Sequence, residues 1–111
     1  MRKALILIDL DGVLNIYHGN YNKNIIPPIR NGAKDFIIKL AENYSLKLFT
    51  NRNPKLAKKW LKENKLDKYF LDVTNVKGPA TLYIDDRALT FNGDFNETIA
   101  QVYNFKPFWE K

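Results

Sequence analysis

The sequence contains no cysteine, and only one of its 111 residues is a histidine. Without cysteine, the chain can form neither disulfide bonds nor metal sites with thiolate ligands. The sequence also lacks an apolar run long enough to span a bilayer. Met1 to Lys3 leads directly into a predicted strand, without the pattern of a signal peptide. We therefore expect a cytoplasmic protein with no membrane partner.

The length and charge limit the organisation of the chain. A chain of 111 residues suffices for one domain with a real core, so we expect a single domain over residues 1–111. The net charge is +6, carried mainly by lysines. The densest group lies at helical spacing and consists of Lys55, Lys58, Lys59, Lys62 and Lys65. These lysines form either a solvated helix face or a surface that attracts polyanions, such as nucleic acid or phosphate esters.

The first predicted strand ends in two carboxylates. The unbroken apolar run Ala4–Ile8 is typical of a strand buried on both faces of a parallel sheet. Asp9 and Asp11 follow it and point to the same side, and Gly12 lets the backbone leave the strand sharply. Ligands bind at this end of strands in open α/β sheets. Two crowded carboxylates repel each other unless a cation lies between them, which predicts a hard divalent metal, most simply Mg²⁺.

Predicted strands and helices alternate along the whole chain. After the first strand we predict a flap at about 15–26, a helix over 31–43, a strand over 45–50, a helix from 54, strands over 69–73 and 81–86, and a helix ending near 103. Asn53 and Pro54 form a strong helix start, and Asp94 with Glu97 resembles a capping box. This alternation predicts an α/β fold: a three-layer, Rossmann-like sandwich with a mostly parallel central sheet.

Polar residues fall at the ends of three predicted strands. These ends carry Asp9 and Asp11, then Thr50, then Asp85 and Asp86, and Lys77 lies in the loop before the last strand. If the strands are parallel, these groups converge at one edge of the sheet. The carboxylates can then surround a metal, and Lys77 can pair with the remaining negative charge.

The order of these motifs closely resembles that of the haloacid dehalogenase-like (HAD) superfamily of phosphohydrolases. The first motif of that superfamily, D-x-D-x-[TV]-[LV], is matched by residues 9–14, and the second, an apolar strand ending in Ser or Thr, by residues 46–51. The acidic fourth motif is matched by residues 83–86, and Lys77 is the best placed lysine for the third. The gaps between motifs hold only the flap, two helices and a short strand. The resemblance therefore implies a HAD-like fold without a cap domain.

The resemblance also implies catalytic and substrate-binding roles. Asp9 would attack phosphorus and form an aspartyl-phosphate. Asp11 would donate a proton to the leaving oxygen and then act as a base toward water. Thr50 and the backbone N–H of Asn51 would bind phosphate oxygens, and Lys77 would offset charge on Asp9 and on the transferring group.

The implied metal site uses the same residues. The Asp9 carboxylate, the Asp11 backbone carbonyl and Asp86 would hold Mg²⁺, with Asp85 acting through a metal-bound water or on a ligand. Elementary chemistry supports this independently. A carboxylate that attacks a phosphate dianion needs a metal and a lysine to neutralise charge in the transition state.

The sequence leaves the roles of several other residues open. Arg52 and Arg87 each follow a motif and are either salt-bridge partners or contacts to a substrate phosphate. His18, in the flap, is either simply exposed to solvent or a substrate contact. The aromatic segment 105–109 either covers an edge of the core or binds a partner.

The sequence-based hypothesis is a Mg²⁺-dependent phosphomonoester hydrolase acting on a sugar phosphate, a nucleotide or a polynucleotide end. Without a cap, the substrate itself or a second protomer would have to cover the open site. The alternative is a non-catalytic, basic α/β module that binds Mg²⁺ or nucleic acid. A response-regulator-like receiver is disfavoured, because its phosphate-accepting aspartate would follow the third strand, where Asp72 has no matching context.

Overall fold

A four-stranded sheet, in which every strand runs parallel to its neighbours, forms the centre of the computed structural model. The structure describes residues 3–110, and Met1, Arg2 and Lys111 lie outside the described residues. The strands are β1 (Leu5–Asp9), β2 (Ser45–Phe49), β3 (Asp72–Thr74) and β4 (Leu82–Ile84), in the spatial order β3-β2-β1-β4. The predicted α/β class with a parallel central sheet is confirmed.

Among residues 3–110, three α-helices accompany the sheet. They are α1 (Ala33–Ala41), α2 (Pro54–Glu63) and α3 (Phe95–Asn104). The chain also forms short 3₁₀ turns at Asp67–Tyr69 and Phe108–Glu110 and a kinked helical turn at Leu10–Leu14. Within residues 3–110, no helix has the length and apolar character needed to cross a membrane.

The hydrophobic core lies between one face of the sheet and the helices α1 and α2. Alternate residues of the central strands, Ile6 and Ile8 on β1 and Leu46 and Leu48 on β2, point to this face. The helices contribute Ala33, Ile37, Ala57, Trp60 and Leu61 to the same cluster. The five lysines predicted on the outside of α2 and just after it are all exposed.

The opposite face of the sheet is covered more thinly. Leu7 points to this face and is buried, so β1 is buried on both sides, as its apolar run predicts. Tyr83 lies beside Leu7 in register, and its hydroxyl donates a hydrogen bond to the Gly78 carbonyl at 2.7 Å. The connection between β3 and β4, residues 75–81, therefore crosses this face. It forms a thin outer layer, in keeping with the predicted three-layer sandwich.

Several predicted element boundaries shift: the strand predicted over 81–86 covers only Leu82–Ile84, and two other shifts have local reasons. The helix predicted over 31–43 begins only at Ala33, because Gly32 has a left-handed φ of 89° and ends the preceding turn. The strand predicted over 69–73 is regular only over Asp72–Thr74, because the fully buried Leu66 anchors the 3₁₀ turn that includes Tyr69. The chain therefore reaches the sheet edge later than its apolar pattern indicates.

The predicted capping box at the start of α3 forms only in part. The Asp94 side chain accepts a hydrogen bond from the Glu97 N–H at 3.1 Å, as expected for an N-cap. The Glu97 carboxylate, however, accepts a hydrogen bond from the Asn92 side chain at 2.8 Å. The reciprocal bond of a capping box is absent here, since the Asp94 N–H donates to Asn92 Oδ1 at 3.0 Å.

Candidate functional site

The carboxyl ends of β1 and β4 bring three aspartates together. These strands are neighbours, with Ile8 opposite Ile84, so the residues that follow in each strand reach the same edge of the sheet. One carboxylate oxygen each from Asp9, Asp85 and Asp86 lies within 4.8 Å of the other two. Carboxylate oxygens at this spacing are suited to a hard divalent cation such as Mg²⁺.

The Asp9 carboxyl is in an environment that opposes its ionisation. Burial raises the pKa of Asp9 to about 8, reinforced by hydrogen bonding to Asp86 and by repulsion from Asp85, Asp86 and Asp11. A cation between the carboxylates would reverse this effect, because it would favour the charged form of each ligand. The donor set therefore fits a divalent metal.

Asp85 is in the opposite situation, because cationic and N–H donors surround it. Burial alone would raise its pKa, but hydrogen bonds from Lys77 and from the Arg87 backbone N–H lower the pKa overall. Lys77 Nζ lies 2.7 Å from Asp85 Oδ2, and the Arg87 N–H donates to Oδ1 at 2.8 Å. Lys77 thus contacts Asp85 directly and lies outside the cavity wall.

A cavity of about 300 Å³ opens beside the three aspartates. Its wall includes most of the predicted site residues, namely Asp9, Asp11, Thr50, Asn51, Arg52, Asp85 and Asp86. Thr50 is buried, and its hydroxyl oxygen accepts a hydrogen bond from the Arg52 N–H at 3.1 Å. The hydroxyl proton of Thr50 is then free to point toward a ligand. His18 is exposed, lies outside the wall and has Nδ1 3.2 Å from the Ile16 carbonyl oxygen.

Arg52 places a buried positive charge in this wall. Its side chain is 1% exposed, and its Nε lies 2.9 and 3.2 Å from the two carboxylate oxygens of Asp11. Nη1 donates to the Asn22 carbonyl at 2.7 Å, whereas Nη2 is buried without a hydrogen-bond partner among the described residues. A buried donor without a partner costs free energy. The guanidinium, a strong partner for anions, therefore keeps unused donor capacity beside the cavity that Arg52 lines.

The predicted flap lies against this arginine. Its base is held by an antiparallel bridge between Asn15 and Ile29. The Tyr21 ring, which is exposed, lies over the guanidinium of Arg52 with 4.6 Å between the ring centroid and Cζ. The flap therefore closes one side of the cavity and leaves the rest open.

Asn15 is a site residue that sequence reasoning missed. It is completely buried, and its Oδ1 accepts hydrogen bonds from the N–H groups of Gly12 and Tyr17 at 3.2 and 3.0 Å. Its Nδ2 donates to Asp11 Oδ1 at 2.9 Å. Asn15 thus orients Asp11 and connects it to the flap. Its only signal in the sequence is its position directly after the first motif.

Trp109 is the second missed residue. Its indole N–H donates to Asp86 Oδ2 at 2.6 Å, so the aromatic segment 105–109 reaches the site. Gly12 leaves room for the Asp86 carboxylate beside the backbone, because a Cβ at position 12 would overlap that carboxylate. Gly12 also has a left-handed φ of 83°, which favours glycine.

Arg52 and Arg87, whose roles the sequence left open, differ in burial and in their contacts. Arg52 forms an ion pair with Asp11 and also has a buried nitrogen, Nη2, without a hydrogen-bond partner among residues 3–110. Arg87 is exposed and makes no ion pair within residues 3–110. Its guanidinium carbon lies 5.5 Å from the Trp109 ring centroid and 6.0 Å from that of Tyr17. Arg87 therefore packs on aromatic rings at the cavity mouth.

No family model matches this chain, and no curated protein matches it. A solved structure of a conserved protein coded by a locus from Bacteroides thetaiotaomicron is similar to it, with a TM-score of 0.55 and 20% sequence identity. The alignment covers 96% of this chain and 95% of that chain. At this identity the likeness concerns the fold alone. The chain is thus an α/β protein with a parallel, Rossmann-like sheet and a carboxylate cluster at one edge of it.

Proposed function

We propose that this chain is a Mg²⁺-dependent phosphomonoester hydrolase of the HAD-like type. One observation carries the proposal: the buried, partly unpaired guanidinium of Arg52 and the cluster of three aspartates line the same cavity. Acidic clusters alone are common, and a buried arginine alone is often structural. Together they match the needs of a phosphate group, which binds a cation through some of its oxygens and a guanidinium through others.

In this proposal, Asp9 is the nucleophile. One of its oxygens forms a bond to phosphorus as the bond from phosphorus to the leaving oxygen breaks, and the leaving oxygen takes a proton from Asp11. Water then attacks the aspartyl-phosphate and transfers a proton to Asp11, which releases inorganic phosphate and restores Asp9. Mg²⁺ held by Asp9, Asp86 and the Asp11 carbonyl would neutralise charge on the nucleophile and on a phosphate oxygen.

The remaining residues of the cavity would position the phosphate. Arg52 lines the wall and would supply positive charge, Thr50 would donate its hydroxyl proton, and Asn51 lies in the same wall. Arg52 and Asn15 also hold the Asp11 carboxylate from two directions. Lys77 would add positive charge through Asp85, which it contacts at 2.7 Å.

The size of the cavity restricts what lies inside it. A volume of about 300 Å³ is at the low end for ligand pockets, so it suits a phosphate and the atoms next to it. The rest of a sugar phosphate, a nucleotide or a polynucleotide end would lie outside. That outer part, or a second protomer, would then exclude water from the open side.

The test uses purified protein, Mg²⁺ and a generic aryl phosphate. We expect Asp9→Asn to lower turnover by on the order of 10³-fold or more, because the variant lacks the nucleophile. The matched control is Asp72→Asn, which changes an exposed aspartate on the edge strand β3 and should leave turnover unchanged. Full Mg²⁺-dependent turnover by Asp9→Asn would refute the mechanism.

A substrate panel would then separate the candidate substrates. It should include sugar phosphates, free nucleotides and short oligonucleotides with a 3′- or 5′-phosphate. A higher kcat/KM for the oligonucleotides would favour a polynucleotide end, to which the exposed lysines of α2 are suited. Mg²⁺ binding without turnover of any member would favour the non-catalytic binding module instead.

A further inference from the structure

The indole of Trp109 ends in a contact with the acidic cluster. Its N–H, the single polar group of the side chain, lies 2.6 Å from Asp86 Oδ2. A hydrogen bond to a carboxylate is charge-assisted and therefore stronger than one between neutral groups. Trp109 comes from the short turn Phe108–Glu110, which is separated from β4 along the chain by α3.

The Trp109 ring is held from several sides. The Tyr17 ring from the flap meets it edge to face, with 5.6 Å between the centroids and 78° between the planes. A Cβ at Gly19 would lie 3.6 Å from the indole, so the flap backbone also packs closely against it. Pro107, two residues earlier, is buried and anchors the segment. The position of the N–H is therefore set by packing as well as by its hydrogen bond.

We infer that Trp109 is a positioning residue for the divalent metal. Its N–H donates to Oδ2 of Asp86 and thereby fixes the orientation of a carboxylate that also offers an oxygen to the cluster with Asp9 and Asp85. Trp109 lies outside the cavity wall, so it acts through Asp86 and not on the substrate. Hydrogen bonds of this kind orient metal ligands, and their loss typically weakens metal affinity about 10- to 100-fold. The inference rests on the metal site of the proposed function.

The first test measures Mg²⁺ binding by calorimetry, without substrate. Trp109→Phe keeps an aromatic ring and removes the N–H, and we expect it to raise the Kd for Mg²⁺ about 10-fold or more. Trp60→Phe is the matched control, because it removes another indole N–H, which donates to the Pro27 carbonyl in the core. This control should leave the Kd within about twofold of the wild type, since Trp60 does not contact a metal ligand.

Turnover at increasing Mg²⁺ separates positioning from a general structural role. For Trp109→Phe we expect a higher Mg²⁺ requirement and an unchanged kcat once Mg²⁺ is saturating. A variant that was merely misfolded would have a lower kcat at every Mg²⁺ concentration, and that result would overturn the inference.

A third measurement tests the hydrogen bond itself. In metal-free protein labelled with ¹⁵N, the Trp109 indole resonance should shift upfield in Asp86→Ala, while the Trp60 indole resonance stays in place. An unmoved Trp109 resonance would overturn the inference. If the wild type binds Mg²⁺ and the Kd of Trp109→Phe lies within about twofold of the wild-type Kd, the inference is also overturned. The proposed function would then stand. A wild-type protein that binds no Mg²⁺ would refute both.

Discussion

Residues 3–70 and residues 71–110 contribute very differently to this molecule. Every buried hydrophobic side chain of the core, from Ile6 to Leu66, belongs to the first region. Among the described residues of the second region, only Pro107 is buried. Yet the second region supplies Asp85 and Asp86, two of the three clustered carboxylates. The candidate site thus joins a well-packed region to a loosely packed one, as is common for functional segments.

The difference is clearest in the helices. Helices α1 and α2 insert apolar side chains into the core, whereas α3 buries none of its own. Phe95, Ile99 and Val102 recur at helical spacing on α3 and are all more than half exposed. We therefore expect substitutions in the two regions to have unequal effects on folding.

The largest expected difference comes from matched truncations of apolar side chains. Leu48→Ala should lower the free energy of unfolding by about 3 kcal/mol, because it leaves a cavity in the core. Ile99→Ala on α3 should change it by less than about 0.5 kcal/mol. Urea denaturation measures both. Equal losses would mean that α3 is packed in solution and would remove the contrast between the regions.

Mg²⁺ should couple the stability of the two regions, because both supply ligands to it. A cation held by Asp9 of β1 and Asp86 after β4 binds only the folded chain. At about 100 times its Kd it should therefore raise the free energy of unfolding by about 2.7 kcal/mol. We also expect slower hydrogen exchange for the amides of residues 82–86. Asp86→Ala should abolish both effects, and a wild-type protein whose stability is insensitive to Mg²⁺ would contradict this coupling.

Without metal, the two sides of the cluster should respond oppositely to pH. The pKa of Asp9 is raised from 3.8 to about 8, so the folded state retains a proton that the unfolded state loses. The stabilisation of the folded state by this proton is fully present below about pH 4 and is lost as the pH rises toward 8. In EDTA at pH 8, Asp9→Asn should therefore be more stable than the wild type. The gain in the free energy of unfolding should be on the order of 2 kcal/mol. This is less than the whole pKa difference would give, because Asp9 is only half-buried and solvent screens its charge.

Asp85 is the counterpart with the opposite sign. Its pKa is lowered, so its ionised form stabilises the fold above about pH 4, and this contribution is lost as the pH falls. Asp85→Asn should therefore lower stability at pH 7 and have less effect at pH 3. Thermal unfolding across this pH range checks both variants. Parallel pH profiles would contradict the assigned environments.

The smallest expected difference concerns the helix caps. Asn53 caps α2 by accepting a hydrogen bond from the Lys55 N–H at 2.8 Å, and Asp94 caps α3. Asn53→Ala should cost about 1 kcal/mol of global stability. Asp94→Ala should reduce helix content with a change in global stability of less than about 0.5 kcal/mol. Circular dichroism and denaturation together separate the two outcomes.

Much of the fold could be predicted because its signals are local. The run Ala4–Ile8 indicates a doubly buried strand, and Asn53 with Pro54 indicates the start of α2; both agree with the structure. The start of the third strand was harder to predict, because the same apolar residues serve either a strand or a turn. The burial of Leu66 decided between them.

The candidate site could be predicted only as far as parallel strands imply it. Asp9, Asp85 and Asp86 follow strands whose carboxyl ends meet at one edge, so a pattern of strands was enough to bring them together. The sequence predicted that Lys77 pairs with negative charge of this cluster, but its direct contact with Asp85, and not with Asp9, depends on how the connection 75–81 crosses the sheet. No spacing in the sequence records that path.

The sequence by itself determined the alternation of strands and helices, the parallel sheet and the carboxylates at its edge, because periodicity and strand polarity are properties of neighbouring residues. Only the tertiary structure decided that Asn15 is buried against Asp11, that Arg52 is buried and forms an ion pair with Asp11, and that Trp109 binds Asp86. These contacts join residues that are brought together by packing and by the course of loops, and no local pattern specifies either.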